Sequence, residues 1–285
     1  MRISNCLSEK MNIPQEVIEE ILLRLELKEL LMASHVSVSW NSIIKSKPFL
    51  KKKLKYEQIK LPQSVWNDNL DHKFYMSFLI NSAVSFGKNL LQNSSGEAEE
   101  DNSPQLRLGN RTLDMLDFDE HWFRGWYVYS SGGSGWRLME QGDRRCFVTA
   151  QISCTKQQVI NLEGNGISGW ILDTYKPEIT FEEYYSTSPG HGGCYECKVS
   201  LLGEKGQVMD QKNWRDDMAA EDNPSWKLFK GMFADFPEGV RSIVFYHGGF
   251  GDFEQEGEGW WGTRMTGATV IVNFPKSNSI KQQIF

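Results

Sequence analysis

The chain contains no run of about 18 apolar residues, so nothing in it is expected to span a bilayer as a helix. Cysteine is scarce, five in 285 residues and odd in number. Met1 to Lys10 has one Arg and no apolar core and does not read as a secretion signal. The thiols are therefore expected to be reduced and the chain cytoplasmic. Catalytic signatures are missing too. There is no Walker-type loop, no His-Glu-x-x-His and no Gly-x-Ser-x-Gly elbow. His121, His191 and His247 stand in no motif, and Gly132-Gly133-Ser134-Gly135 lacks a phosphate-loop Lys. The acid pairs Glu182/Glu183 and Asp216/Asp217 read as solvated. These absences predict a protein with no catalytic residue and no cofactor.

Positive charge is confined to one end. The net charge of -6 divides into +4 for residues 1–60 and -10 for the rest. An acidic bulk is the wrong surface for nucleic acid, where affinity comes mainly from phosphate neutralisation. Aromatic residues are plentiful. Eight of the ten Trp lie at or beyond Trp122, and rings of this kind build both cores and ligand faces.

Residues 11–55 read as short helices. Pro14 suits a first helical turn, and Glu16, Glu19 and Glu20 follow where the helix dipole favours acids. Val17, Ile18, Ile21, Leu22 and Leu25 recur at helical spacing. A second helix is expected around Lys28 to Ala33, and a third from about Val36 to Ser46, stopped by Pro48. Some 45 residues bury little surface, and below about 40 a metal, disulfide or partner is usually needed. The apolar residues also cover more than one face. Part of this surface is expected to pack on another chain or on the rest of this one.

The string Ile13-Pro14-Gln15-Glu16-Val17-Ile18, then Ile21-Leu22, Leu25, Leu30-Leu31, Val36 and Val38-Ser39-Trp40, resembles an F-box. The resemblance implies docking on the Skp adaptor of a cullin-based ubiquitin ligase. Its core and adaptor contacts would fall to Ile13, Pro14, Val17, Ile21, Leu22, Leu25, Leu30, Leu31, Val36 and Trp40.

Residues 56–105 read as a helical connector ending in a flexible acidic linker, breaker-rich over residues 92–105. From residue 106 to 276 the texture is β. Cys146 to Ile152, Val159 to Leu162, Ile179 to Tyr185, Cys194 to Leu202, Trp226 to Phe233, Val240 to His247 and Ala268 to Phe274 are short β-branched or aromatic runs. They predict an antiparallel sandwich, followed by a tail over 277–285.

His191-Gly-Gly-Cys194-Tyr-Glu-Cys197 could in principle hold zinc or cycle as a dithiol. Residues three apart in a strand point to opposite faces, so buried thiols are expected and no metal. The stretch from Phe250 to Trp261 is Gly-rich, acidic and aromatic, at a sandwich end where loops commonly bind ligands. Its Trp260 and Trp261 either form a ligand face or plug the sandwich.

This stretch resembles the F-box-associated (FBA) domain of the sugar-recognising F-box proteins and the nonspecific cytotoxic cell receptor protein. The shared elements are Leu172-Asp173-Thr174-x-x-Pro177, Gly239-Val240-Arg241, His247-Gly248-Gly249 and Gly259-Trp260-x-Gly262-x-Arg264-x-Thr266, in order. The resemblance implies a ten-stranded jelly-roll-like β-sandwich, and in some members binding of the N-glycan chitobiose core. Where glycan binders carry a Tyr-Trp-Lys-like triplet this chain has Glu256-Gly257-Glu258, and Gln151 stands where they have an aromatic. Candidate ligand residues are Gln151, Phe250, Phe253, Glu256, Glu258, Trp260 and Trp261. The expected whole is a helical F-box, a helical linker and an FBA sandwich. It would be the substrate receptor of a Skp–cullin–F-box ligase, binding a protein or N-glycoprotein in ER-associated degradation. The alternatives are a receptor or adhesion-type protein without a ligase, or a glycan-independent protein-binding module.

Overall fold

A computed structural model of the chain describes residues 13–67, 70–80, 85–96, 125–132, 135–141, 144–252 and 260–274. The chain divides into two compact units, residues 1–84 and 85–285.

The first unit is helical: α1 (Gln15–Arg24), α2 (Leu27–Ala33), α3 (Val38–Ile44), α4 (Lys47–Tyr56), α5 (Gln63–Asn67) and α6 (His72–Ile80). Local chemistry starts each piece. The Ser37 hydroxyl accepts from Trp40 N at the head of α3, and Glu26 and Glu29 form a capping box on α2. Ser46 caps α4 in the same way, with Pro48 in its first turn. Pro48 was expected to stop a helix, but the stop is Lys45 and Pro48 opens the next one.

The second unit holds β1 (Tyr127–Ser131), β2 (Arg137–Gln141), β3 (Arg144–Val148), β4 (Cys154–Asn161), α7 (Gly169–Tyr175), β5 (Ile179–Thr187), β6 (Gly193–Gly203), β7 (Val208–Met218), β8 (Lys227–Phe233), β9 (Val240–Gly251) and β10 (Thr263–Val272). The strands form two five-stranded antiparallel sheets, in the orders β1-β4-β9-β6-β7 and β2-β3-β10-β5-β8. This is the expected sandwich. Its core is an alternating set: Ile179, Phe181 and Tyr185 on β5 face Val199, Leu201, Ile243 and Phe245 from β6 and β9.

Residues 85–96, expected within the connector, belong to the sandwich unit. Gly87 N donates to Val272 O (2.9 Å) and Leu90 N to Val270 O (2.8 Å), which extends the sheet beside β10. Further on, Gln92 and Gln158 of β4 exchange two bonds, Gln92 N to Gln158 Oε1 and Gln158 Nε2 to Gln92 O. The segment thus crosses from one sheet to the other and bonds to both. The acidic residues 97–105 and the tail 277–285 lie outside the described residues.

Candidate functional site

The apolar residues of the helical unit sort into two sets. Leu22, Leu30, Ile43, Ile44, Phe49, Leu50 and Leu54 are buried and make its core. Ile13, Val17, Ile21, Leu31, Met32, Val36 and Val38 are exposed, Val36 by 67% and Val38 by 89%. A single exposed Leu or Val needs no explanation, but seven on three short neighbouring elements do. Of the ten residues singled out in the sequence, Leu22 and Leu30 are core, and Leu25 and Trp40 are half-buried. Ile13, Pro14, Val17, Ile21, Leu31 and Val36 face outward. Val38 stood in the F-box-like string but not among the expected contacts, and Met32 was in neither. Their exposure is a product of the α2–α3 turn, which periodicity does not encode.

The same unit buries a charge. Lys53 is enclosed, and its ammonium donates to Leu23 O (2.8 Å) and Leu25 O (2.7 Å) and pairs with Glu57. These carbonyls close α1, where a cation meets the negative end of the helix dipole. The lysine run around Lys53 is largely structural: Lys51 bonds Trp66 O, and Lys55 lies 5.4 Å over the Trp66 ring.

At one end of the sandwich, three connections meet. Thr263 N donates to Thr149 Oγ1 (2.9 Å), Thr263 Oγ1 to Cys194 O (2.7 Å) and Ser188 Oγ to Gly262 O (3.2 Å). Asp252 N donates to Gly192 O (3.1 Å). Two glycines make this approach possible. A Cβ on Gly249 would run into Cys194 O, and one on Gly262 into Thr149 Oγ1 and Ala150 O. Gly249 and Gly262, one from each of these two strings, are therefore packing requirements of this end.

On that base, Trp261 is 43% exposed and stacks on His191, with centroids 4.8 Å apart and planes 21° from parallel. Trp260 is half-buried, with the Arg137 guanidinium 4.7 Å over its ring. Neither Trp plugs the sandwich. Gln151 is half-buried nearby in sequence to Thr149. Phe250 sits in β9 itself, paired with Cys194 and 5.7 Å from the Arg215 guanidinium. Phe253, Glu256 and Glu258 lie outside the described residues. His191, passed over in the sequence for want of a motif, and Arg137 are residues the geometry adds among the described ones.

Two other sequence strings resolve into a lock. Asp173 of α7 takes both Arg241 Nη2 (2.8 Å) and Gly239 N (2.7 Å), so the Leu-Asp-Thr and Gly-Val-Arg elements are halves of one contact. Partial burial would raise the Asp173 carboxyl, but the Arg241 and Gly239 donors outweigh it and hold it below the usual range. The Cys-x-x-Cys string splits as its strand demands. Cys197 lies beside Glu183 and Tyr195, and Cys194 beside Asp217. Burial pushes the Cys194 thiol up to about 12 and Cys197 higher than usual, so neither is a ready nucleophile. Among the described residues no three His, Cys, Asp or Glu side chains are grouped to hold a metal.

A small helical unit with an outward apolar face and an antiparallel sandwich with an aromatic loop end define a two-module protein. The F-box associated region family matches residues 82–272 and the F-box domain family residues 11–52. The chain belongs to the F-box proteins that carry an F-box associated region. It is similar to F-box only protein 2 of Bos taurus, 28% identical over 91% of this chain and 82% of that protein. F-box only protein 6 of Rattus norvegicus is 29% identical over 53% of this chain and 56% of its own length. F-box only protein 27 of Macaca fascicularis is 31% identical over 52% of this chain and 55% of its own. The last two alignments span only about half of each relative.

Proposed function

We propose that this chain is the non-catalytic substrate receptor of a Skp–cullin–F-box ubiquitin ligase. The observation that supports it is the outward set Ile13, Val17, Ile21, Leu31, Met32, Val36 and Val38, on a unit whose core is already filled by other residues. Docking would cover that set on the Skp adaptor. Burying one Val, Leu or Ile side chain fully is worth about 1.5–3 kcal/mol, and association itself costs about 4–15 kcal/mol, so the face has to act as a set. The ligase chemistry is then proximity, with the sandwich holding a substrate near a ubiquitin carrier on the other subunits.

The substrate end is assigned to Trp261, His191, Trp260 and Gln151 in the cytoplasm. A glycan reading has one observation in its favour: the outer face of Trp261, braced by His191, is the kind of flat aromatic surface on which a sugar ring stacks. Calorimetric titration of the full chain with the chitobiose core of an N-glycan tests it. Saturable binding, lost in Trp261→Ala, makes the chain a glycoprotein receptor of ER-associated degradation. No heat from a folded chain assigns the loop end to a protein surface.

A further inference from the structure

Glu183 is fully buried on β5, against the solvated position its acid pair suggested. Its carboxylate accepts from the Tyr195 hydroxyl of β6 (2.6 Å) and faces Nδ1 of His247 on β9 at 2.7 and 2.9 Å. Because β5 lies in one sheet and β6 and β9 in the other, the cluster bridges the interior. Opposite Glu183 the β10 strand carries two residues, Gly267 and Ala268, a bulge allowed by the positive φ of Gly267. The His247 ring lies flat on Trp126, centroids 4.5 Å apart and planes 11° from parallel. Its strand neighbours are Lys156 on β4 and Cys197 on β6. The Lys156 ammonium, also fully buried, is 4.6 Å from the ring centres of both Trp126 and Trp136.

The titratable groups facing His247 are thus Glu183, Tyr195, Cys197 and Lys156. The hydrogen-bond pattern assigns the neutral imidazole's proton to Nδ1, toward Glu183. Nε2 then carries an unused lone pair, with no partner among the described residues. A second proton would put a positive charge on a fully buried ring beside Lys156 and give it an N–H with no acceptor among the described residues, which is the costlier defect.

We propose that the Glu183–His247–Tyr195 bridge is an acid-sensitive latch: it closes the two sheets only around a neutral His247, and acid favours the opened sandwich, in which His247 takes up a proton. Burial holds the imidazole below its ordinary value, with Glu183 opposing and Lys156 adding to the effect. The sign follows. The opened chain binds the proton near pH 6.5, about the ordinary histidine value, and the closed chain does not. The latch is at full strength above that pH and weakens below it, up to about tenfold in the open-to-closed ratio per pH unit.

Hydrogen exchange of the full chain at pH 7.5, 6.5 and 5.5, corrected for intrinsic rates, tests this. The β5, β6 and β9 amides should lose protection by up to about tenfold per unit below pH 6.5. In His247→Gln, whose carboxamide can still donate to Glu183 but does not titrate, that added loss should vanish. An unchanged pH slope in His247→Gln overturns the latch. If that variant does not fold, ring-carbon NMR of the unmodified chain decides. His247 should stay neutral at pH 5.5. A His247 that titrates near 6.5 in the folded chain, with protection intact, overturns the proposal.

Discussion

The two units differ in how their outward apolar side chains are grouped. The helical unit gathers Ile13, Val17, Ile21, Leu31, Met32, Val36 and Val38 on its first three helices and their flanks, and keeps one ammonium, Lys53, inside on its α1 carbonyls. The sandwich spreads its exposed apolar side chains over β1, β4, β7, β8 and the loop-end Trp261, and carries Lys156, Glu183 and His247 fully buried. The difference teaches where function is to be sought. An apolar face left over after a core is complete needs a partner, whereas a carboxylate, hydroxyl and imidazole bonded to one another inside serve the fold itself.

The contrast can be broken at its strongest points. Glu183→Ala should cost the sandwich about 2–6 kcal/mol, because it leaves the Tyr195 hydroxyl and the His247 Nδ1–H without their buried acceptor, each worth about 1–3 kcal/mol. Urea unfolding followed by exchange in the β strands reads this, with the helical amides as an internal reference. Leu22→Ala should cost the helical unit about 2–5 kcal/mol, the range for a buried Leu truncation. Val36→Ala, on the same unit but outside, should change stability by no more than about 0.5 kcal/mol while weakening adaptor binding. A Val36→Ala chain as destabilised as Leu22→Ala would erase the distinction between the two sets. At the loop end, Trp261→Ala is expected to leave the melting temperature within the range of ordinary surface changes and to remove only ligand binding. Because Trp260 is half-buried, Trp260→Ala should cost less than the roughly 3–5 kcal/mol of a fully buried Trp.

Much of this organisation was legible in the residues. The helix starts at Pro14 and around Lys28, and most strands from Cys146 onward, follow from periodicity and breakers. The missed strands share a cause. β1, β2 and β7 are all at sheet edges. An edge strand pairs on one side only and tolerates polar side chains, as Asp210-Gln211-Lys212-Asn213 in β7 shows. Helix α7 was hidden because its seven residues are too few for a periodic signal. At the sites, the sequence could name the F-box residues but not divide them, since a 3.6-residue period says which residues share a face and not what that face meets. Glu183 was read as solvated because Glu182 beside it is charged too. In a strand the two point oppositely, and period-2 alternation with Phe181 and Tyr185 was the available signal for burial.

The most direct test of the central claim is a paired measurement on the full chain: calorimetric titration with purified Skp adaptor and thermal melting, for the unmodified protein and for Ile21→Glu/Val36→Glu. The account predicts tight binding by the unmodified chain, at least a hundredfold weaker binding by the double variant, and melting curves that coincide. Undiminished adaptor binding by a folded double variant would contradict it, because the outward apolar face would then not be the docking surface.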